Sequence, residues 1–521
     1  MITRHGLVAG ATGTGKTKTL QLMAEQLCAH GVPVFAADIK GDLSGIASPG
    51  LDSARLQERA AGVGQSWAAT AYPTEVFSLG GEGEGIPLRA SLTSFGPTLL
   101  SKVLGLTEIQ ESSLGLIFHY ADVNGLALLD VKDLRAVIQW LVSDEGKSDL
   151  EGLGGLSKAT AGVLLRELVG FVAQGADRFF GEPEFATADL LRTSADGRGI
   201  VSLLELPRLQ DRPQLFSTFL MWLLADLFYE LPEVGDVDKP KLVFFFDEAH
   251  LLFTDASKDF LTAITQTVRL IRSKGVGVFF VTQTPKDVPE GVLAQLGSRV
   301  QHQLRAHTPN DAKALRSTVS TYPHSSYDLE KVLTQLGIGE AVVTVMNPDG
   351  APTPVAWTRM PAPQSLMAPS APEVMDGIVA ASSLRETYAV SVDRQSAHEI
   401  LMARVEMGAA KALAERESTA AAGREQDEAE RRAAEGQADA AAEEKARTKA
   451  AADAEKARVR AEKELEDEIR RSRSSARDEH DLAEKIFKDA SRYKTMDGMV
   501  RSAGRNLAVE IARGVFGIGR R

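Results

Sequence analysis

The chain has a single cysteine, Cys28, among its 521 residues. That excludes an internal disulfide framework and any cysteine-based zinc site, and it points to a reducing compartment, with the cytoplasm as the default. No stretch of 18 uncharged apolar residues occurs, so no integral membrane segment is expected. Met1 to Gly6 lack the charged start and apolar run of a leader peptide. Leucine heptads are missing from the charged C-terminal stretch, which argues against a strong coiled coil. An N-K-x-D base-reading signature is also absent, which disfavours a GTPase. The formal net charge is -12, and residues 399–521 balance 26 Lys+Arg against 26 Asp+Glu, so all excess acid lies in residues 1–398. A uniformly basic nucleic-acid-coating surface is thereby excluded, while a narrow basic channel within an acidic body is not.

What is present is enough apolar residue, 44%, for at least one large core in two or three units. Gly6 to Gly10 reads as a short buried strand entering a glycine loop, Lys18 to His30 has helical spacing, and Val32 to Asp38 is a second apolar strand. A strand, a helix and a strand in about forty residues form the βαβ unit of a parallel sheet, so the fold class is α/β, with the ligand site at the strands' carboxyl ends. Few residues precede Gly6, so a further upstream strand is expected to be absent or supplied from elsewhere. Residues 1–90 thus read as the first part of a core. Residues 91–198 carry a helical insertion, with helices expected at Thr98–Leu106, Glu108–Asn124, Val131–Ser143 and Lys158–Gln174. The core resumes over 199–346 with strands at Gly199–Glu205, Lys241–Asp247 and Gly277–Thr282, a helix at Gln214–Tyr229, and a last strand pair at Ser298–Leu304 and Glu340–Met346. Clustered prolines over 347–397 disfavour helix and sheet and favour an extended linker. Residues 398–490 have the Ala, Glu, Lys and Arg composition of a long helical arm laced by charge pairs, and 491–521 read as a basic amphipathic helix suited to the protein body, a nucleic acid or an anionic membrane surface, with the protein body favoured.

The chemistry concentrates in two motifs. Gly10, Ala11, Thr12, Gly13, Thr14, Gly15, Lys16 and Thr17, running on into Lys18, match G-x-x-x-x-G-K-[ST] between a strand and a helix. The glycines let backbone N–H groups curl around phosphates, the helix N-terminus adds positive dipole, Lys16 reaches the β- and γ-phosphates, and Thr17 holds Mg²⁺. The partner is an apolar strand ending in Asp247 and Glu248. Asp247 is placed to anchor Mg²⁺, and Glu248 to orient and deprotonate the attacking water, the division of labour that hydrolysis of ATP needs. His250 reads as a packed or capping residue. Gln283, at the end of a third strand, is a candidate γ-phosphate sensor. Arg269, Arg272, Arg299 and Arg305 are candidate arginine fingers, of which Arg272 and Arg299 are favoured, acting from a neighbouring subunit. Asp38, Lys40 and Asp42 face the same edge, and their pattern favours a turn slightly over a catalytic role.

Gly10 to Thr17, Val34 to Gly45 (VFAADIKGDLSG), Leu242 to His250, Arg269 to Pro289 (RLIRSKGVGVFFVTQTPKDVP), Gly297 to Leu304 and the terminal Arg501 to Gly519 together resemble the HerA and FtsK group of ring-forming motors, and within it the YjgR-type HerA-like ATPases. That resemblance implies a RecA-like core, a hexamer, and ATP hydrolysis that drives duplex DNA through the ring or supports end resection. It assigns Lys16, Thr17, Asp247, Glu248 and Gln283 the phosphate, Mg²⁺, base and sensor roles. The β-barrel that HerA carries at its amino end is expected to be lacking, with the helical insertion and charged arm as additions. Beside a DNA motor stands a second reading, a nucleotide-gated switch whose arm assembles a protein partner.

Overall fold

The computed structural model describes residues 4–150, 154–206, 213–235, 237–254, 258–347 and 349–472. The described chain divides after Ala409. The first unit is built on one ten-stranded sheet. Its strands in chain order are β1 (Gly6–Ala9), β2 (Val34–Asp38), β3 (Thr74–Leu79), β4 (Ile86–Leu88), β5 (Val201–Glu205), β6 (Leu242–Phe246), β7 (Val276–Thr282), β8 (Ser298–Gln301), β9 (Glu340–Thr344) and β10 (Ala356–Arg359). In space they run β10-β9-β8-β1-β7-β6-β2-β5-β3-β4. Every pairing is parallel except β8 with β9 and β9 with β10.

Strands with near-continuous apolar runs are those covered on both faces, and the side-chain alternation here supplies two cores. Phe35, Phe244, Phe246 and Phe280 point to one face. There they meet the helices α3 (Leu92–Val103), α4 (Glu108–Val123), α5 (Val131–Val142), α6 (Lys158–Ala173), α7 (Pro213–Glu230) and α9 (Lys258–Ile271), which follow α1 (Lys16–Ala29) and α2 (Ala54–Gly62) and enclose the short α8 (His250–Phe253). Val34, Ala36, Val243 and Phe245 point to the other face, where Leu20, Ala24 and Leu27 of α1 cover them. The helical insertion therefore shares the main core of the sheet. Its α3 bends at Gly96, with φ 75, just ahead of Pro97. Beyond the short α10 (Glu290–Leu293), α11 (Pro309–Val319) and α12 (Leu329–Gln335) pack Leu315, Leu329 and Leu333 against Val342 of β9.

The proline-rich stretch departs from the expected extended linker. It carries β10, then docks against α1 and α2, and continues into α13 (Pro372–Ala381) and α14 (Leu384–Tyr388). Prolines exclude only the ladder positions they occupy: β10 falls in the proline-free run between Pro354 and Pro361, and Pro372 opens α13 where its missing N–H costs nothing. Side chains satisfy the backbone between them. Trp67 Nε1 donates to Pro363 O at 2.7 Å and Gln65 Nε2 to Ala362 O at 2.7 Å. The buried Glu25 carboxylate accepts Gln364 N at 2.8 Å and Ser365 N at 3.0 Å.

Helix α15 runs from Ala397 to Ser472, 76 residues, and every described residue from Val405 to Glu468 is exposed. Pairs such as Arg432 with Glu428 at 3.3 Å lie one turn apart on it. The expected basic helix at 491–521 lies outside the described residues. Among those residues no helix is long and apolar enough to cross a membrane.

Candidate active site

β1 delivers Gly10 to the carboxyl edge of the sheet, between β7 and β8. Gly10 N donates to Thr282 O of β7 at 3.2 Å and Ala11 N to Gln303 O beyond β8 at 2.7 Å, so both neighbours hold the loop's entry. A Cβ on Gly10 would stand 2.5 Å from His302 Cβ, and glycine is required there by that close approach. Gly15 takes φ 111 as the cap that opens α1, with Gly339 against it. Within the loop Thr14 Oγ1 donates to Ala11 O at 2.7 Å, and the buried Lys16 ammonium reaches the same carbonyl only at 3.3 Å. Burial lowers the Lys16 pKa. The charges of Glu248, Asp247 and Asp287 act against that, while Lys40 adds to it. Thr17 follows, half-buried, in the first turn of α1, and Lys18 turns along its own helix to Gln21 Oε1 at 3.1 Å.

A clamp behind the loop escaped the sequence reading. His302, fully buried, contacts Glu340 O through Nδ1 and Thr19 Oγ1 through Nε2, each at 2.9 Å. A carbonyl only accepts, so Nδ1 carries the proton and Nε2 accepts from the threonine hydroxyl. Burial holds this ring neutral, with its pKa pushed down to about 4. Gly339 N donates to Thr14 O at 3.0 Å, and Arg59 Nη2 donates to Gly339 O at 3.2 Å. The pairing of β8 with β1, and of β9 with β8, brings His302 and Gly339 to the loop, and a linear sequence does not display it.

β6 ends at the same edge, separated from β1 by β7. Ala249 N donates to Val281 O at 2.8 Å, so the last two residues of β7 hold the acidic motif through one carbonyl and the glycine loop through the next. Asp247 is 4% exposed, and its Oδ1 accepts Glu248 N at 2.9 Å while Oδ2 has no partner. Burial first, then the charge of Glu248, pushes the Asp247 carboxyl up to about 7. Glu248 has φ 46, a left-handed backbone seen at no other non-glycine residue among those described. Its Oε1 is ion-paired with Lys40, and its Oε2 has no hydrogen-bond partner although His250 Nδ1 lies 3.3 Å away. No group of three or more His, Cys, Asp or Glu able to hold a metal occurs among the described residues. Two buried carboxylate oxygens without partners and a buried ammonium on one distant carbonyl instead fit a magnesium–polyphosphate group, because Mg²⁺ is held by one or two carboxylates together with phosphate oxygens and water.

Gln283, exposed at the end of β7, lines a cavity of about 280 Å³ with Ala11, Thr12, Thr284, Lys286 and Arg305. Arg305 Nη2 donates to Thr12 O at 3.2 Å. The two favoured arginines stand elsewhere. Arg272 precedes β7 at the opposite edge of the sheet, about 20 Å from the loop by strand rise. Arg299 pairs in register with Leu7, donates to Thr321 Oγ1 and lies over the Tyr322 ring at 5.7 Å from its centroid. Arg269 is exposed on α9.

A glycine loop between β1 and α1, answered by an acidic strand end one strand removed, defines a P-loop nucleoside-triphosphatase core of the RecA-like kind. A family model described as "Helicase HerA-like C-terminal" matches residues 1–472, and the chain belongs to that family of P-loop ATPases. The comparison with curated proteins gave no match. Among solved structures the chain is similar to the plasmid coupling protein TrwB in complex with ADP and Mg²⁺, at 16% identity over 71% of this chain and 87% of that one, with a TM-score of 0.47. It is similar to VirB4 of Thermoanaerobacter pseudethanolicus at 16% identity over 71% and 90%, TM-score 0.43. A third likeness is to the genome packaging NTPase B204 from Sulfolobus turreted icosahedral virus 2, at 9% identity over 68% and 95%, TM-score 0.28.

Proposed function

We propose that this chain is an ATP-hydrolysing motor that works as a homo-oligomeric ring, a hexamer, on duplex DNA. The observation that carries the reading is the joint seating of the loop and the acid pair on Val281 and Thr282 of β7. The loop glycines and the α1 N-terminus receive the phosphates, and Lys16 leaves its long contact with Ala11 O for the β- and γ-oxygens. Thr17 and Asp247 hold Mg²⁺, which supplies charge neutralisation at the transferring phosphoryl group. Glu248, set off-axis by its left-handed backbone, accepts the proton of the attacking water, and Gln283 reports the presence of the γ-phosphate. Arg272 and Arg299 lie away from the loop of their own chain, so either acts as a finger only from a neighbouring copy, which fits a ring.

ATP turnover with and without duplex DNA at low salt, together with the solution mass with and without nucleotide and Mg²⁺, tests the reading. Stimulation by DNA and a mass of six chains support it, whereas unstimulated turnover by a monomer removes the motor. The exposed, charged α15 favours a second reading, in which nucleotide gates assembly with a protein partner. Turnover that ignores DNA, with partner capture lost on deleting residues 398–521, selects that one.

A further inference from the structure

The turn after β2 puts a second lysine on the acid pair. β2 and β6 are parallel neighbours in register, with Ala37 opposite Phe246, so the residues that follow each strand emerge side by side. Asp38 closes β2 by accepting three backbone N–H groups, Lys40 at 3.2 Å, Gly41 at 2.8 Å and Leu43 at 2.8 Å. Gly41, with φ 74, completes the turn. The backbone at Lys40 is thereby pinned, while its side chain, 44% exposed, is ion-paired through the ammonium with Oε1 of Glu248, whose side chain is 7% exposed. Burial alone would lower the Lys40 pKa, but the bond to Glu248 and the charges of Glu248, Asp247 and Asp42 outweigh it and hold the ammonium above the ordinary lysine range. Lys40 thus reaches Glu248 from the neighbouring strand, while Lys16 of the loop rests on Ala11 O within the field of the same carboxylate.

A carboxylate that must meet a water is occupied, and is aimed elsewhere, while an ammonium sits on it. A lysine head is a compact charge on a flexible stem and changes partners without moving the backbone. A nucleoside triphosphate brings a terminal phosphate with more negative charge than the carboxylate, and a diphosphate does not bring that group.

We propose that Lys40 is a positioning residue that distinguishes triphosphate from diphosphate: it restrains Glu248 in the empty and diphosphate-bound site and moves to the terminal phosphate of a bound triphosphate, which frees Glu248 to meet water. The inference rests on the hydrolytic reading given above. It makes the general base available only when there is a γ-phosphate to attack.

The test uses the full chain with Lys40→Met and Lys40→Arg, each checked for wild-type thermal unfolding. Equilibrium affinities for Mg-ADP and for a non-hydrolysable Mg-ATP analogue are measured, together with KM and kcat for Mg-ATP. Lys40→Met is expected to weaken the triphosphate analogue about tenfold relative to ADP and to raise KM by the same factor, and Lys40→Arg to recover most of both. A role limited to shaping the turn would weaken both nucleotides equally. A triphosphate-to-diphosphate affinity ratio unchanged in Lys40→Met, with wild-type turnover intact, overturns this inference and leaves the proposed hydrolysis standing. A wild-type chain that neither binds nor hydrolyses the triphosphate removes both.

Discussion

His302 ties the edge of the sheet to the P-loop helix, and its burial makes the tie sensitive to acid. The folded ring has a pKa of about 4 against an ordinary value of 6.5. Protons therefore bind the unfolded chain first as pH falls through 6.5, so the stability contributed by the neutral ring is complete above 6.5 and is lost between 6.5 and about 4. The loss is about 1.4 kcal/mol per pH unit, or about 2 kcal/mol between pH 7.5 and pH 5, because little changes above 6.5. His5, Asp38 and Asp247 are shifted as well, to about 4, 6 and 7, so the pH dependence of the wild type alone mixes several groups. His302→Gln isolates the one of interest, since an amide can still donate to Glu340 O and accept from Thr19 without titrating. Urea unfolding of both proteins at pH 7.5 and pH 5 is the assay. The wild type's advantage over the variant is expected to shrink by about 2 kcal/mol at the lower pH. An equal difference at both pH values would refute the assignment of a neutral, buried His302.

Three further outcomes are expected. Gly10→Ala forces a Cβ to 2.5 Å from His302 Cβ and 2.9 Å from Thr14 Oγ1, and should cost about 1–3 kcal/mol in denaturant unfolding along with weaker nucleotide binding. Ser365→Ala removes a hydroxyl that donates to buried Glu25 Oε1 at 2.5 Å and accepts from Gln21 Nε2 at 2.6 Å, for a loss of about 1–3 kcal/mol measured in the same way. Glu248→Gln should reduce phosphate release by at least about a hundredfold while equilibrium nucleotide affinity is kept, because the base is lost and the phosphate cradle is not.

Much of the sheet was legible because its strands are buried on both faces and show as apolar runs: the cores of β1, β2, β5, β6 and β7 fall within the segments read from sequence, as do β8 and β9. What the sequence concealed has physical causes. β4 is three residues between Gly85 and Arg89, too short for a periodic signal, and it exists because β3 presents an open parallel edge. β3, Thr74–Leu79, mixes Glu75 and Ser78 with Val76 and Phe77, and Glu75 is tolerated there because Arg192 Nη2 meets it at 3.0 Å. The prolines of 348–372 suggested a linker, whereas Glu25, Gln65 and Trp67 bond the backbone between them to the body. At the site, both motifs could be read because each is contiguous in the chain. The Lys40–Glu248 pair, the His302 clamp and the Gly339 contact with Thr14 join residues from about 200 to more than 320 positions apart, through strand order alone. The arginines show the same limit from the other side: Arg305 touches the loop, whereas Arg272 and Arg299 are held by the far half of the sheet.

The most direct test of a single hydrolytic site built from the loop and the acid pair is the rate of phosphate release from Mg-ATP by the wild type and by Lys16→Ala, compared at equal thermal stability. Steady turnover by the wild type and a loss of at least about a hundredfold in the variant are expected, since Lys16 is the loop's one side-chain charge on the transferring group. Equal rates from the two proteins would contradict it.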